Sequence, residues 1–497
     1  MLIRNAEIDF IHAAARRVDV RIAGGRIAEL AAAGSLPPRV DEAVLDAGGA
    51  ALLPGLHDHH LHLAALAVAL DSLPCGPPQV TTAAALAEAL QARAATTAEH
   101  EWIRGIGYHE SVAGEIDRIW LDRVVPRHPV RIQQRSGRLW IVNSAALALL
   151  LADAAPPPGL AYRAGRILDA DDWLRGRSPS SRGFPSLARV GRLLAAHGIT
   201  GVTETTAHND LAQYRHFVAA RAAGELAQDV LVMGDASLDA LTDTANAADT
   251  TMETGIGVRR GPLKLHLHEH ALPDFDVTVA AIARSHAAGR AVAAHCVTLA
   301  ELVFALGVLE AAGAHPGDRI EHAAIAPPEV LPLLRARGVT VVSQPNFIFE
   351  RGDTYLREVP AADRPWLYRL RGLLDAGIPL AGGVDAPFGQ VDPWAAMQAA
   401  VERRSRHGAV LGAVEALAPE AALALFLAPL AAPGAAPRRI EVGATADLCL
   451  LDRPWAAARG NLAAVRVAAT LKLGRLIHAA AENRTEAYLR PCDNPQS

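Results

Sequence analysis

Cysteine is scarce. Cys75, Cys296, Cys449 and Cys492 are the only four in 497 residues, none forms a CxxC pair, and nothing here resembles a secreted disulfide framework. Long hydrophobic runs are also missing: stretches such as AALAVAL are too short to cross a bilayer, which argues against a membrane partner. The opening MLIRNAEIDF carries Arg4 and Glu7 before any long apolar run and does not read as a signal peptide, so a cytoplasmic protein is the expectation. No long basic run exists to follow a phosphate backbone, and 48 Lys+Arg against 53 Asp+Glu leave a formal charge of −5, so nucleic acid is not the expected partner. Lysine is the rarer basic residue, limited to Lys264 and Lys472, a bias that reads as compositional. The chain also lacks a GxGxxG turn between strand and helix, a GxxxxGK phosphate loop, a GxSxG elbow and a clear Cys–His nucleophile. Dinucleotide, nucleotide and covalent chemistries lose their usual signals, and activation of water is favoured.

What is present is ample core material: apolar residues make up 51%, with 40 glycines and 32 prolines to punctuate it. Both ends favour strands. MLIRNAEIDF, RRVDVRIAGGRIAEL and DEAVLDAGGALL open the chain, with Gly24-Gly25 suited to a hairpin, and RRIEVGATADLCLLDRP and NLAAVRVAATLKLGRLIHA close it. Neither set buries both faces alone, which predicts a small β-sandwich domain built from residues 1–52 and 431–497 around an inserted domain over 53–430. Inside that span short apolar strands alternate with alanine-rich helical segments. Examples are LLPGLHD before LHLAALAVAL, HPVRIQQ before NSAALALLLADA, GPLKLHLH before DVTVAAIARSHAAG, RAVAAHC before TLAELVFALGVLEAAG, and PLAGGVD before DPWAAMQAAVERR. An open doubly wound sheet would alternate in the same way. Residues 74–95 and 153–188, rich in Pro, Gly, Ser and Arg, read as loops or lid-like excursions.

Polar residues at strand ends decide for the barrel. In PGLHDHHLHL, His60 and His62 stand two apart after a buried approach and can face one divalent ion, although an isolated HxH pair is equally compatible with a structural or surface role. His295 ends AVAAH, His322 ends RIEH and Asp385 ends IPLAGGVD, each before a change to helical or loop character. Side chains at the C-terminal ends of different barrel strands converge on one mouth, so the recurrent set predicts an α/β fold of the (β/α)₈ TIM-barrel type. Lys264 in GPLKLHLHEH is a cation and no metal ligand unless its amine is carboxylated; a salt bridge or a substrate contact is the other reading. Gln344 and Asn346 lie where a strand gives way to a loop, placed to hydrogen-bond an amide substrate or to cap a turn.

These residues resemble the amidohydrolase superfamily, and within it the family 3 group that includes YtcJ-like proteins and N-substituted formamide deformylases. Pro54, Gly55, Asp58, His60 and His62 match its first-strand signature, and Lys264, His295, His322 and Asp385 fall on its later ligand positions. LWIVNSAAL, GITGVTE, VVSQPNF and VGATADLCLLD extend the similarity over almost the whole chain. The resemblance implies a metal-dependent hydrolase of a nonpeptide carbon–nitrogen bond in a small-molecule substrate, a linear amide or N-acyl compound. Cyclic amide, lactone or ester hydrolysis by the same machinery is the alternative, and a noncatalytic metal-dependent binding protein the third reading. It further implies one or two zinc ions: His60, His62 and Asp385 for the first, carboxylated Lys264, His295 and His322 for the second, with Asp385 as general base and proton shuttle. With one ion only, His295 or His322 completes the first site. A homodimer is the assembly this resemblance suggests. Two departures stand out. Ser136-Gly137-Arg138 replaces the family's aspartate, glycine and histidine, making Arg138 a substrate-contact or solvent-facing candidate, and LHLHEH replaces an aspartate–glycine pair after Lys264.

Overall fold

A computed structural model describes residues 1–11, 14–77, 79–170, 173–174, 177, 184–241 and 257–480. The chain divides into two compact units, one made of Met1–Leu63 with Leu187–Ser497 and the other of Ala64–Ser186.

The first unit contains the barrel. Its eight strands are β1 (Leu56–Leu61), β2 (Ile199–Glu204), β3 (Asp229–Gly234), β4 (Val258–His266), β5 (Val292–Cys296), β6 (Arg319–His322), β7 (Thr340–Ser343) and β8 (Leu380–Gly382). They pair in parallel in chain order from β1 to β8. Most are short and almost wholly buried, and Asp229–Gly234, Val292–Cys296 and Thr340–Ser343 are mainly apolar, the composition of strands covered on both faces. Closure occurs just beyond β8, where Asp385 N–H donates to the His60 carbonyl at 2.8 Å and His62 N–H to the Ala386 carbonyl at 2.9 Å. Gly383 permits this approach: a Cβ there would lie 2.5 Å from His60 Cβ and 2.6 Å from His60 N.

Two four-stranded sheets built from both chain ends accompany the barrel, as the sequence predicts. One runs Arg26–Ala32, Arg16–Ala23, Leu2–Ile8, Val44–Asp46; the other runs Arg475–Ala479, Val467–Lys472, Leu448–Leu451, Leu52–Pro54. They share one core, to which Ile3, Val18, Val20, Leu52, Leu448 and Leu471 contribute from both ends. The hairpin of Arg16–Ala23 and Arg26–Ala32 turns on Gly24 and Gly25, both with positive φ (55° and 74°), as the strand twist requires. Gly55 separates Leu52–Pro54, which belongs to the sandwich, from β1. A Cβ at Gly55 would lie 2.3 Å from the Thr200 side chain.

The unit Ala64–Ser186 departs from the sequence reading. HPVRIQQ is not a barrel strand; Val130–Gln134 belongs to a separate six-stranded sheet with Ile103–Tyr108, Leu139–Val142, Arg166–Leu168, Leu73–Pro74 and Leu160–Ala161. The barrel takes Asp229–Gly234 instead. Apolar strand composition cannot separate the two, because both lie in buried sheets. Within the supposed loop 74–95, Ala83–Thr96 is a helix: Thr82 caps it by accepting from Ala85 N–H at 3.2 Å, and Leu86 and Leu90 are buried. Parts of the 153–188 segment lie outside the described residues. Cys75, Cys296 and Cys449 are free and buried, and Cys492 lies outside the described residues. No described helix is long and apolar enough to cross a membrane.

Gly383→Ala is expected to destabilise the protein by about 1–3 kcal/mol through overpacking against His60. Denaturant unfolding beside metal analysis checks this: an unchanged midpoint with unchanged metal content would show that the approach of Gly383 to β1 is not needed.

Candidate metal centre

Strand alternation sends Asp58, His60 and His62 to one side of β1 and His57 and His59 to the other. His57 lies against Gly201, where a Cβ would come within 2.7 Å of the ring, and its Nδ1 donates to the Ala428 carbonyl at 2.9 Å. Asp58 is a clasp: one oxygen accepts from His60 N–H at 3.0 Å and from Val384 N–H at 3.3 Å, tying β1 to the β8 end. Burial raises its pKa to about 7 against those two N–H bonds.

His60, His322 and Asp385 form a divalent-metal-binding triad. One ligand atom from each lies within 4.8 Å of the others, and all three residues are buried. His62 joins them, its Nε2 3.2 Å from Asp385 Oδ1, while His60 Nε2 is 3.5 Å from the same oxygen. His295 continues the group outward, with ring centres 4.5 Å from His322, which itself lies 4.7 Å from His60. Lys264 pairs with Ala293 and His266 with His295, so alternation puts Lys264 on the face of β4 that matches the His295 face of β5. Its Nζ is buried with no hydrogen-bond partner.

Each inner imidazole is oriented from behind. His60 Nδ1 donates to Glu321, whose carboxylate is held by Arg319, which also donates to the His59 carbonyl at 2.6 Å. His322 Nδ1 meets Gln344 Oε1 at 2.6 Å, and His62 Nδ1 meets Thr206 Oγ1 at 2.8 Å. A carboxylate or amide oxygen only accepts, so the Glu321 and Gln344 contacts put the ring proton on Nδ1 and leave Nε2 as the free lone pair. Neutral imidazoles and a carboxylate are the donor set that a borderline divalent ion takes, and the buried Asp385 Oδ1 has no hydrogen-bond partner. The residues fit the implied metal.

Burial pushes Asp385 and Glu321 upward, yet their neighbours outweigh it and hold both well below the usual carboxylate range: the facing His60 and His62 rings for Asp385, and Arg319, Lys264 and the His60 ring for Glu321. Burial lowers His322 to about 3. Burial also lowers the Lys264 amine, against the attraction of Glu321.

Some candidates take other places. Gln344 is fully buried, its amide spent on His322 and on the Val342 carbonyl at 3.3 Å. Asn346 donates to Glu350 and to the Val384 carbonyl, both at 3.0 Å. Arg138 belongs to the unit Ala64–Ser186, where it is exposed and its Nε contacts Asp169 at 2.6 Å. Asn143 of the WVNS-like segment caps the helix Ser144–Leu151 through Ala146 N–H at 3.0 Å.

Glu321, Arg319 and Thr206 escaped the sequence reading. Simple alternation sends Glu321 and His322 to opposite faces, but His322 has φ of 69° and Ala323 46°. This left-handed bend undoes the alternation and lets both side chains meet His60. Asp385 is likewise left-handed, with φ of 56°, and backbone strain of this kind concentrates at functional sites.

Comparison with known proteins agrees with this geometry. The model of the amidohydrolase family matches residues 43–478. An N-substituted formamide deformylase of Arthrobacter pascens is 27% identical over 530 aligned positions, covering 93% of this chain and 97% of that protein. The putative amidohydrolase YtcJ of Bacillus subtilis (strain 168) is 24% identical, covering 74% of this chain and 76% of its own. Among solved structures, an uncharacterized metal-dependent hydrolase from Pyrococcus horikoshii OT3 superposes with a TM-score of 0.73 at 20% identity, over 91% of this chain and 97% of that one, a likeness of fold.

Glu321→Gln is expected to weaken metal binding by about 10–100-fold, because His60 loses its charged hydrogen-bond partner. Chelator competition measures the change; wild-type affinity would mean that Glu321 does not orient His60.

Proposed function

Because this chain belongs to the amidohydrolase family, we propose that it hydrolyses a nonpeptide carbon–nitrogen bond of a small molecule, a linear amide or N-acyl compound, with water activated at the His60–His322–Asp385 centre. The observation that carries this reading is the convergence of those three buried donors from β1, β6 and the end of β8. A divalent ion held there, zinc in this reading, is a Lewis acid that lowers the pKa of water from 15.7 to about 7. His60, His62 and Asp385 would hold the first ion, and carboxylated Lys264, His295 and His322 a second, with His322 also within reach of the first set.

Asp385 is the general base. Its carboxylate, whose Oδ1 faces His60 and His62 Nε2 at 3.5 and 3.2 Å, would accept the proton of the attacking water. As the water oxygen bonds to the carbonyl carbon, that proton passes to Asp385. It moves on to the leaving nitrogen as the carbon–nitrogen bond breaks, and acid and amine result.

Lys264 is one of only two lysines in a chain that otherwise uses arginine. A guanidinium stays protonated and is a poor nucleophile toward carbon dioxide, whereas an amine of lowered pKa attacks it, forming a nitrogen–carbon bond and releasing a proton. Arginine therefore does not serve at this position. The relative named a formamide deformylase supports a linear amide as the substrate class. The run of histidines after Lys264 stands where the family carries an aspartate–glycine pair, which argues against formamide itself as the substrate.

Asp385→Asn is expected to leave the fold intact and lower turnover by about two orders of magnitude or more. Near-wild-type turnover, on a substrate found by a product-resolved screen of linear amides, cyclic amides and esters, would reject the shuttle. Lys264→Arg is expected to lower bound metal from about two ions per chain to about one. Metal analysis with intact-protein mass spectrometry reads both the ion count and the carboxyl group. A wild-type chain carrying no carboxyl group and a single ion at saturation refutes the dinuclear centre.

A further inference from the structure

Phe388 follows Asp385 in the loop beyond β8, and the proposed chemistry does not use it. Its side chain is 53% exposed, yet its ring meets His62 edge to face, with ring centres 5.3 Å apart and planes at 89°. A lone exposed apolar side chain is ordinary on a protein surface. This one touches an imidazole of the metal centre, and the backbone that carries it is tied down. Phe388 N–H donates to the Asp385 carbonyl at 2.8 Å, and Gly389 N–H to the same oxygen at 3.0 Å. Arg351, whose guanidinium lies 3.8 Å from the centre of the Phe347 ring, donates to the Phe388 carbonyl at 2.9 Å. Gln390 N–H donates to Glu350 at 3.0 Å. A Cβ at Gly389 would lie 2.3 Å from the Asn346 side-chain nitrogen, so the loop is pressed against the helix Asn346–Glu358. The backbone is fixed while the ring beside the metal ligand stays uncovered, an arrangement that suits a surface completed by a ligand.

We propose that Phe388 is a specificity-determining residue whose ring receives an apolar group carried on the leaving nitrogen, so that the preferred amides bear their apolar part on nitrogen rather than on the acyl carbon. This rests on the hydrolase reading, in which Asp385 hands its proton to the leaving nitrogen. That nitrogen has to come within hydrogen-bond reach of the Asp385 carboxylate. Asp385 Oδ1 lies 3.2 Å from His62 Nε2, and Phe388 lies against the same His62 ring. The substituent on nitrogen is therefore the part of the substrate nearest Phe388, and in a trans amide the acyl group extends the other way. An apolar group laid against the uncovered part of the ring removes surface of both from water, which favours the complex in proportion to the area covered. The His62 ring has a hold of its own, because its Nδ1 meets Thr206 Oγ1 at 2.8 Å. Phe388 is thus free to serve the substrate.

The test uses two isomeric sulfonamides that resist hydrolysis, N-hexylmethanesulfonamide and N-methylhexanesulfonamide, which differ only in the side of the sulfur–nitrogen bond that carries the chain. Calorimetric titration of the metal-loaded full chain measures both. The wild type is expected to bind the N-hexyl isomer about tenfold more tightly, and Phe388→Ala to bring that ratio to about one, with Phe388→Leu in between. Hydrolysis of N-hexylacetamide and its isomer N-methylheptanamide is expected to follow the same order, through KM more than kcat. Failure of the wild type to bind either sulfonamide, equal binding of the two, or a preference that Phe388→Ala leaves intact overturns the proposal. Loss of bound metal from Phe388→Ala also overturns it, because the ring then serves to hold His62. A wild type that discriminates the sulfonamides through Phe388 but hydrolyses neither amide refutes the linear-amide reading instead and leaves the Phe388 contact standing.

Discussion

The hydrogen bonds joining the end of β8 to β1 are the constraint on which the site depends. Asp385 donates its N–H to the His60 carbonyl, and His62 donates to the Ala386 carbonyl, so the residues that close the barrel also carry ligands or flank them. Asp58 fastens the same seam by accepting from both His60 and Val384 N–H. Gly383 keeps the seam narrow because any side chain there would overlap His60. Closure and assembly of the metal centre are therefore one event. Separate the two strands and Asp385 leaves the imidazoles it faces.

Behind that seam lies a buried charge relay of positioning groups. Arg319 grips Glu321, Glu321 grips His60, and Arg319 also holds the backbone of His59. Burying an arginine and a glutamate costs solvation free energy, which their mutual pairing offsets only with good geometry. In return the His60 ring has one tautomer and one orientation. Gln344 does the same for His322 without charge. An ion bound between rings held this way meets preset lone pairs.

The two lysines illustrate how a biased composition sharpens function. Lys472 is buried between Asp229 and Asp447, bonded to each at 2.6 Å, and ties a sandwich strand to the start of β3. Lys264 has no such partner and sits among the ligands. One lysine is a buried salt bridge; the other is an amine of lowered pKa, with its lone pair within reach of chemistry.

Read from the sequence alone, the chain already determined its β/α alternation, the sandwich built from both ends and the strand-end positions of His60, His62, His322 and Asp385. These depend on local periodicity and on glycine-compatible turns, which neighbouring residues encode. Other features required the folded chain. Val130–Gln134 and Asp229–Gly234 are both short strands, and pairing assigned one to the separate sheet and the other to the barrel. Glu321 was hidden because the left-handed His322 reverses the face on which alternation would place it. Gln344 read as a loop-edge residue until burial showed its amide committed to His322. Partners of this kind are separated by tens to hundreds of residues, and their meeting is fixed by barrel closure, a long-range property that no local pattern records.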